Sequence, residues 1–421
     1  MVATQPLAIS MPAEPPATEH IQPLKSLRVL NFGWYWVCAV ITHLLGDFGA
    51  EVIKIESKGR LEVLKGLAPF LNGIEEPDHC LWAHNLSRNN YGLTVNLGTP
   101  RGRDLIRDLI RESDVVAENW TPGTMAKLGL DYETLRRIKP DLIMISASAA
   151  GQWGPLHKIN TYGTVLGALA GLDGVNGYYN DRPIPFGVAL PDPLGGVFGA
   201  YAVLAALRHR NQTGEGRYID YSQWEGMTTT LGPLFLDYQW NQRIARPTGN
   251  LSDVCVPHNV YRCSGDDNWV SVAVYTEAEW QGLLRALGGP AWASDPRFAD
   301  KFRRKRNEAA LDALIEQWTR QYTHNRAAML LQAEGVAAFP VAGSRDLYED
   351  PHWKARHAWL ERQHPLGRET IYGIHWKMSD TPGVIWRDCP IIGQDNERIY
   401  HELIGLPKPE FERLVGEKII H

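Results

Sequence analysis

Residues 27–56 read LRVLNFGWYWVCAVITHLLGDFGAEVIKIE, and two short apolar runs stand at the two ends of this stretch. The runs LRVLNF and AEVIKIE have the length of buried strands, and the apolar segment between them extends to Leu45. A strand, a connecting segment and a second strand in this order form the unit from which parallel sheets are built. The stretch therefore predicts an α/β fold.

The same alternation continues along the chain. A helix is predicted in TPRGRDLIRDLIRESD, where Thr99 caps the first turn and Pro100 lies within it. The next segments predict a strand, a helix and a strand, in the order DVVAEN, YETLRRIK and DLIMISAS. A helix of small residues, GGVFGAYAVLAALRHR, then leads through the turn TGEGR to the strand YIDYS. Strands that alternate with helices predict a Rossmann-like, mostly parallel, doubly wound sheet.

The pattern changes near Arg246. The segment VYRCSGDDNWVSVAVY predicts an antiparallel hairpin, and EAEWQGLLRALG and NEAALDALIEQWTRQY predict helices. We therefore expect a smaller α+β domain over residues 245–345, preceded by a mobile tail (1–24) and by a large α/β domain (25–240). After residue 345 the sequence is irregular and interrupted by prolines.

Composition excludes several classes of function. The net charge of −5, without a basic block, argues against nucleic-acid binding. The apolar run at residues 34–41 is too short to span a membrane, and no signal peptide opens the sequence. The five cysteines form no CxxC pair and the histidines show no HExxH spacing, so no metal site is predicted. A cytoplasmic protein is the expectation. No GxGxxG follows the first strand, which disfavours a nicotinamide site.

One charged residue stands out in FGVALPDPLGGVFGAY, where Asp192 lies between two prolines and shortly before Gly195 and Gly196. Removing water from a carboxylate is costly unless other groups replace the water. A structural interpretation is available, since an aspartate followed by proline is a common way to start a helix. A functional interpretation is compatible with it, because a poorly hydrated carboxylate at a helix start suits a nucleophile.

Several segments together resemble the class III CoA-transferases (CaiB/BaiF), the family that includes formyl-CoA transferase, carnitine CoA-transferase and α-methylacyl-CoA racemase. The resemblance covers residues 24–357 in the expected order. It is carried by the segments RVLNFGWYWVCAVITHLLGDFGAEVIKIE, SRNNYGLTVNLGTPRGRDLI, DVVAENWTPGTMAKLGLDYETLRRIKPDLIMISAS, ALPDPLGGVFGAYAVLAALRHRNQTGEGRYIDYSQWEGM and DPRFADKFRRKRNEAALDALIEQWT.

The resemblance implies a catalytic role for Asp192, whose carboxylate would carry CoA as an aspartyl thioester between an acyl-CoA donor and a free carboxylic acid. Backbone N–H groups around Gly195 and Gly196 would stabilise the oxyanions that form. Coenzyme A would be a co-substrate, with no permanently bound cofactor. The resemblance assigns the CoA site to Trp36, Val37, Lys58, Val95, Asn119, Trp120, Lys127 and Tyr162.

Two alternatives to a transferase stay open within the same family. A racemase pairs the aspartate with a histidine, and the corresponding position here is Tyr162. An unassisted tyrosine has a pKa of about 10 and is a poor base at neutral pH. A CoA-binding subunit without catalysis would have no reason to keep Asp192. The family also implies an interlocked dimer, formed with a second copy or with a related subunit, in which residues 346–421 return to the large domain.

The acceptor acid is expected to be hydrophobic or aromatic. Trp34, Tyr35 and Trp36 follow the first strand, where the family places the acyl group, and an aromatic wall favours a bulky or flat acyl group. The sequence NFGWYW also resembles the subgroup of succinyl-CoA:benzylsuccinate CoA-transferase. The resemblance therefore implies succinyl-CoA as donor and a substituted succinate, such as benzylsuccinate, as acceptor.

Overall fold

The computed structural model of the chain describes residues 22–421. The predicted mobile tail, residues 1–24, lies outside the described residues except for its last three. The strands are β1 (Arg28–Asn31), β2 (Glu51–Glu56), β3 (Asn90–Thr94), β4 (Val115–Glu118), β5 (Ile143–Ser148), β6 (Arg217–Ser222), β7 (His258–Arg262), β8 (Trp269–Ala273), β9 (Ala337–Pro340), β10 (Trp359–His364) and β11 (Gly367–Tyr372).

The α-helices of the described part alternate with these strands in its first half and are more frequent in its second. They are α1 (Trp36–Gly46), α2 (Leu81–Leu86), α3 (Pro100–Arg111), α4 (Thr124–Lys127), α5 (Tyr132–Ile138), α6 (Gly163–Leu169), α7 (Pro191–Thr213), α8 (Gln223–Thr228), α9 (Gly232–Asn241), α10 (Glu277–Ala286), α11 (Lys301–Arg306), α12 (Glu308–Thr319), α13 (His324–Ala333), α14 (Ser344–Glu349), α15 (Pro351–Ala355) and α16 (Lys408–Gly416). No helix within residues 22–421 is long and apolar enough to cross a membrane.

The central sheet has the strand order β3-β2-β1-β4-β5-β6, and neighbouring strands pair in parallel. This confirms the predicted Rossmann-like, doubly wound sheet. The direction in which strands are added reverses between β1 and β4. Ligands of such sheets bind beyond the carboxyl ends of the strands at this switch point. The topology therefore predicts a ligand site at the residues that follow β1 and β4.

Successive side chains of a strand point to opposite faces of the sheet, and helices cover both faces. On one face, α1 and α7 pack against strand residues such as Val29 and Ile145. On the other face, α3 and α5 pack against residues such as Leu30 and Met144, together with Leu414 of α16. The helix that carries Asp192 thus packs on this face through Ala200, Val203, Ala206 and Leu207.

The chain divides into two compact units, one formed by residues up to 160 with 192–226 and 357–421, the other by 161–191 and 227–356. The predicted domain boundaries differ from this division, because they give residues 161–191, 227–240 and 346–356 to the large domain. In the second unit these segments contact each other: the Thr228 hydroxyl donates a hydrogen bond to the Ala170 carbonyl over 3.5 Å. The sequence pattern identifies helices but not the core against which they pack.

The second unit contains an antiparallel sheet with the order β7-β8-β9, which includes the predicted hairpin. Its core is formed by strand residues such as Val272 and helix residues such as Trp280, Leu311 and Leu331. The Tyr261 hydroxyl donates a hydrogen bond to Asp312 over 2.6 Å and so ties β7 to α12. The second unit therefore combines an antiparallel sheet with helices, and residues 245–345 lie within it.

The C-terminal part is more regular than the sequence indicated. Residues predicted to be irregular contain the hairpin β10–β11 and the helix α16. The hairpin strands read WLERQH and GRETIY, in which polar residues stand at most positions and no apolar alternation is visible. A two-stranded hairpin of half-exposed side chains leaves only a weak sequence signal.

Candidate active site

The loops that follow β1 and β4 are joined through one side chain. The Trp34 backbone N–H donates a hydrogen bond to the Asn119 side-chain oxygen over 2.8 Å, and the Asn119 amide nitrogen donates to the Trp34 carbonyl over 2.7 Å. Asn119 directly follows β4, and Trp34 lies two residues before α1. Both polar atoms of the Asn119 side chain, a predicted site residue, therefore bind the loop backbone. In the structure Asn119 holds that loop at the switch point.

A buried ion pair supports the same loop from the other side. The Lys54 ammonium lies 2.9 Å from a carboxylate oxygen of Glu62, and both side chains are buried. Lys54 also donates a hydrogen bond to the Gly33 carbonyl, and Glu62 accepts one from the Tyr35 backbone N–H. Sequence reasoning missed this pair, although a lysine within the apolar run of β2 is a signal that could have revealed it.

Tyr35 has a backbone conformation that is unusual for a residue with a side chain, with φ 58° and ψ −144°. Such backbone strain persists only where the surroundings enforce it, and it is concentrated at functional sites. Here the carboxylate of Glu62 and the clamp at Asn119 enforce it. The strained residue is the last one before α1, so it sets the direction in which Trp36 enters the helix.

Aromatic side chains surround this loop. Trp36 packs against Trp82 with ring centroids 5.0 Å apart, and the Arg60 guanidinium lies 5.0 Å from the centroid of Trp34. Trp34 and Trp36 are half-buried, so each keeps part of its ring accessible. The Val37 side chain, in contrast, is buried in the core, which leaves only its backbone for the predicted ligand contact.

Asp192 lies in the first turn of α7, as its second residue. The expected start at Gly195 is wrong by four residues, because prolines lack an N–H and fit the first helical turn, where that group would have no partner. Asp192 is half-buried and forms no hydrogen bond or ion pair with any residue in 22–421. Burial raises the pKa of its carboxyl to about 6. At neutral pH the group is mostly ionised and poorly hydrated.

The earlier helix start also changes the role of the two glycines. In a helix that begins at Pro191, the N–H groups of Gly195 and Gly196 bond to carbonyls four residues earlier and are not free for an oxyanion. A Cβ at Gly196 would lie 2.4 Å from the Val40 side chain. The predicted oxyanion role is therefore replaced by a packing role for Gly196, which lets α7 approach α1 closely.

The remaining predicted CoA residues differ in accessibility. Lys58 and Lys127 are exposed, and neither forms an ion pair with the described residues. The Trp120 ring packs edge-on against Phe32, with centroids 5.9 Å apart. The Val95 side chain is buried in the core beneath the sheet, so only its backbone can reach a ligand. Tyr162 is exposed in the second unit, directly before α6. Lys58 and Lys127, both predicted to contact CoA, thus lie in the unit that carries Asp192.

A second buried carboxyl lies at the end of β4. Burial raises the pKa of Glu118 to about 7, although hydrogen bonds from Ser146 and from the Trp120 N–H favour its ionised form. Glu118 lines a cavity of about 90 Å³ with Ser146, Gln152 and Tyr218 among the other lining residues. Sequence reasoning did not single out Glu118. Among the described residues no group of His, Cys, Asp and Glu is arranged to hold a metal ion.

Comparison with known proteins gives a match to CoA-transferase family III over residues 24–396. The chain is 32% identical to succinyl-CoA–D-citramalate CoA-transferase of Chloroflexus aurantiacus over 400 residues, which cover 95% of this chain and 98% of the relative. It is 29% identical to the alpha subunit of succinyl-CoA–L-malate CoA-transferase of Chloroflexus aurantiacus, with 98% and 96% covered. It is 30% identical to succinyl-CoA:mesaconate CoA-transferase of Haloarcula marismortui, with 90% and 96% covered.

A solved structure has the same fold. The crystal structure of a CAIB/BAIF family protein from Brucella suis superposes with a TM-score of 0.84 at 28% sequence identity. The superposition covers 91% of this chain and all of the other. The likeness therefore includes most of both compact units.

Proposed function

The chain belongs to CoA-transferase family III, and from this premise we propose that it moves CoA from succinyl-CoA to a substituted succinate by way of an aspartyl-CoA thioester on Asp192. The observation that carries the proposal is the Asp192 carboxylate itself. It lies in the first turn of α7, half-buried and without a hydrogen bond or cation in the described part of the chain. A carboxylate in this state is ionised at neutral pH and weakly solvated, which favours nucleophilic attack.

The proposed reaction begins at the thioester of the donor. An oxygen of the Asp192 carboxylate attacks the thioester carbon, the C–S bond breaks, and CoA leaves as thiolate with the electron pair. The product is a mixed anhydride of the donor acid and Asp192. The thiolate then adds to the side-chain carbonyl carbon of Asp192, the anhydride C–O bond breaks, and the donor acid leaves as its carboxylate. Asp192 now carries CoA as a thioester.

The acceptor acid reverses these steps. Its carboxylate attacks the aspartyl thioester and releases CoA thiolate, and the thiolate attacks the acceptor half of the new anhydride. The acceptor leaves as its CoA thioester and Asp192 is restored as a carboxylate, with no net proton transfer. A site that excludes water protects the anhydride and thioester from hydrolysis. Partial burial of Asp192 reduces its contact with water.

The donor and the acceptor class are proposed from the relatives and from the aromatic loop. Citramalate, malate and mesaconate, which the relatives' names give as their acids, are dicarboxylic acids with a four-carbon chain that carries small substituents. A substituted succinate has the same backbone. The accessible rings of Trp34 and Trp36 favour a hydrophobic substituent on it, and benzylsuccinate is the aromatic member to test.

We also propose that the active form is an oligomer, formed with a second copy or with a related subunit. The helix α7 exposes Val197, Tyr201 and Leu204, which lie along one face of the helix, and Tyr201 is 74% exposed. A contiguous apolar surface on a folded chain is typical of a protein–protein interface. Relatives named as alpha and beta subunits of one transferase make a paralogous partner the second possibility to test.

The deciding experiment traps the covalent intermediate. The purified protein is incubated with succinyl-CoA and treated with hydroxylamine or borohydride, and the modified peptide is mapped by mass spectrometry. We expect modification at Asp192 in the wild type and none in Asp192→Asn. Intact CoA binding without any modification, together with α-deuteration of the acyl-CoA in D2O, would contradict the transferase and support a racemase. Turnover is then measured with citramalate, malate and benzylsuccinate as acceptors.

A further inference from the structure

Two polar groups beside α7 lack the hydrogen bonds that buried groups normally make. The Tyr221 hydroxyl oxygen and the Gln223 side-chain carbonyl oxygen are buried and have no partner among residues 22–421. Tyr221 lies in β6, and Gln223 is the first residue of α8 and is 7% exposed. Buried polar atoms in native proteins are almost always paired, so an unpaired one calls for a physical reason. Two unpaired polar atoms beside the same helix suggest that one missing partner explains both.

Both groups fill the space next to Gly195. A Cβ at Gly195 would lie 3.3 Å from the Gln223 oxygen and 3.4 Å from the Tyr221 hydroxyl oxygen. Gly195 is three residues after Asp192, so the two positions share one face of α7. Positions three apart on a helix are neighbours, so the space over Gly195 adjoins the position of Asp192. The absence of a side chain at Gly195 therefore leaves this space to the two polar groups.

The partner that these groups lack is absent from the free protein but present during the proposed reaction. When thiolate adds to the side-chain carbon of Asp192, its carbonyl oxygen becomes an oxyanion. The N–H groups of Gly195 and Gly196 belong to the helix and cannot bind it. The Tyr221 hydroxyl keeps its proton for this task, because burial raises its pKa to about 12. The Gln223 amide supplies an N–H once it turns about its last bond.

We propose that Tyr221, assisted by Gln223, binds the oxyanion that forms on Asp192 when CoA thiolate adds to the anhydride and again when the acceptor carboxylate adds to the thioester. The inference rests on the proposed transferase function. The hydrogen bond is made to the tetrahedral intermediate, in which the C–S and C–O bonds coexist, and the tyrosine keeps its proton throughout. A donor that is unpaired in the free enzyme and paired in the intermediate lowers the barrier without stabilising the substrate.

The test compares Tyr221→Phe and Gln223→Met with the control Tyr218→Phe. Tyr218 lies in the same strand, and its side chain points to the opposite face, where it lines the cavity beside Glu118. Melting temperature, kcat, KM for succinyl-CoA and the rate of hydroxamate formation at Asp192 are measured for each. We expect Tyr221→Phe to lower kcat and the trapping rate about 100-fold, with KM nearly unchanged.

The same variant should keep or raise the melting temperature, because it removes an unpaired buried hydroxyl. A structural tyrosine would give the reverse result, with a lower melting temperature and an unchanged kcat, and that outcome overturns the inference. If Tyr221→Phe fails to fold, the inference is rejected unless Gln223→Met lowers kcat at an unchanged melting temperature. A wild type that turns over and is trapped at Asp192, beside equally active variants, rejects this inference alone. A wild type without turnover or adduct rejects the proposed function, and the inference falls with it.

Discussion

The Asp192 carboxylate loses water on folding and gains neither a hydrogen bond nor a cation from the described residues. Its pKa of about 6 follows from this burial alone, whereas most buried carboxylates recover part of the loss through partners. Asp47 shows the usual arrangement, since it is buried but accepts hydrogen bonds from Arg88 and Asn89. The contrast separates a carboxylate that stabilises the fold from one that is available to react.

The raised pKa predicts the pH dependence of catalysis. Only the ionised form of Asp192 is a nucleophile, so kcat/KM should rise with pH, level off above pH 7 and fall about tenfold per pH unit well below 6. The measurement is a pH profile of kcat/KM with succinyl-CoA, from pH 4.5 to 8.5. A profile that stays flat down to pH 4.5 would show that the ionisation of Asp192 does not limit the reaction.

The same shift predicts a stability cost. Folding raises the pKa of Asp192 from 3.8 to about 6, so the folded state binds the proton more tightly, and stability is lost as pH rises from 4 through 6. Asp192→Asn removes this loss and should raise the free energy of unfolding at pH 8 by about 1–3 kcal/mol, with little gain at pH 4. Urea unfolding at both pH values measures it. The exposed Asp266→Asn serves as control, and an equal gain there would contradict the explanation.

At the level of single elements, the glycines of α7 decide how closely that helix lies on its neighbours. A Cβ at Gly196 would meet Val40 of α1 at 2.4 Å, and one at Gly199 would meet Ile41 at 2.5 Å. Both distances are too short for carbon atoms, so the helix would have to move. Because Asp192 lies one turn before Gly196, a shift of α7 also moves the carboxylate.

We therefore expect Gly196→Ala to lower the free energy of unfolding by about 1–3 kcal/mol and to reduce kcat at the same time. Gly232→Ala is the matched control, because Gly232 begins α9 and a Cβ there would meet nothing within 4 Å. The control should be neutral or stabilising by up to about 1 kcal/mol, since alanine favours the helix. Chemical unfolding and steady-state kinetics provide both measurements. Equal stability of the two variants would contradict the close approach of α7 to α1.

Local sequence patterns predicted much of the large sheet, because strands buried on both faces are continuous apolar runs bounded by helices. The strands β1, β2, β4 and β5 were predicted in this way, whereas β6, which is partly exposed, was predicted from its place after the turn TGEGR. The hairpin β10–β11 was not, since its polar strands are specified by contacts with distant segments. In the site, Trp36 and Asn119 were predicted from the family resemblance. The ion pair of Lys54 with Glu62 was not predicted, because the two residues meet only in the tertiary structure.

At the scale of the whole molecule, apolar surface remains uncovered in both compact units. In the first unit it lies on α7, around Tyr201. In the second unit α9 buries none of its residues and exposes Phe235, Leu236 and Trp240, the last at 79%. Each surface is more apolar than the exterior of an isolated chain requires, which is the basis for proposing an oligomer.

A charge on the α7 surface should prevent this assembly. We expect the wild type to elute as a dimer or larger species, and Tyr201→Glu to shift it toward the mass of a single chain or to lower its solubility. Light scattering after size-exclusion chromatography measures the mass. The control is Phe302→Glu, which changes a residue 84% exposed on the basic helix α11 and should leave the mass unchanged. A monomeric wild type at micromolar concentration would contradict the proposed oligomer.

The reciprocal hydrogen bonds between Trp34 and Asn119 have a practical consequence for redesign. The loop that carries the aromatic rings and Asn119 hold each other in place, although 85 positions separate Trp34 from Asn119 in sequence. A loop grafted here from another transferase, to exchange one acceptor acid for another, arrives without the residue that hydrogen-bonds to it after β4. The graft should hold its shape when the residue at position 119 is chosen together with it.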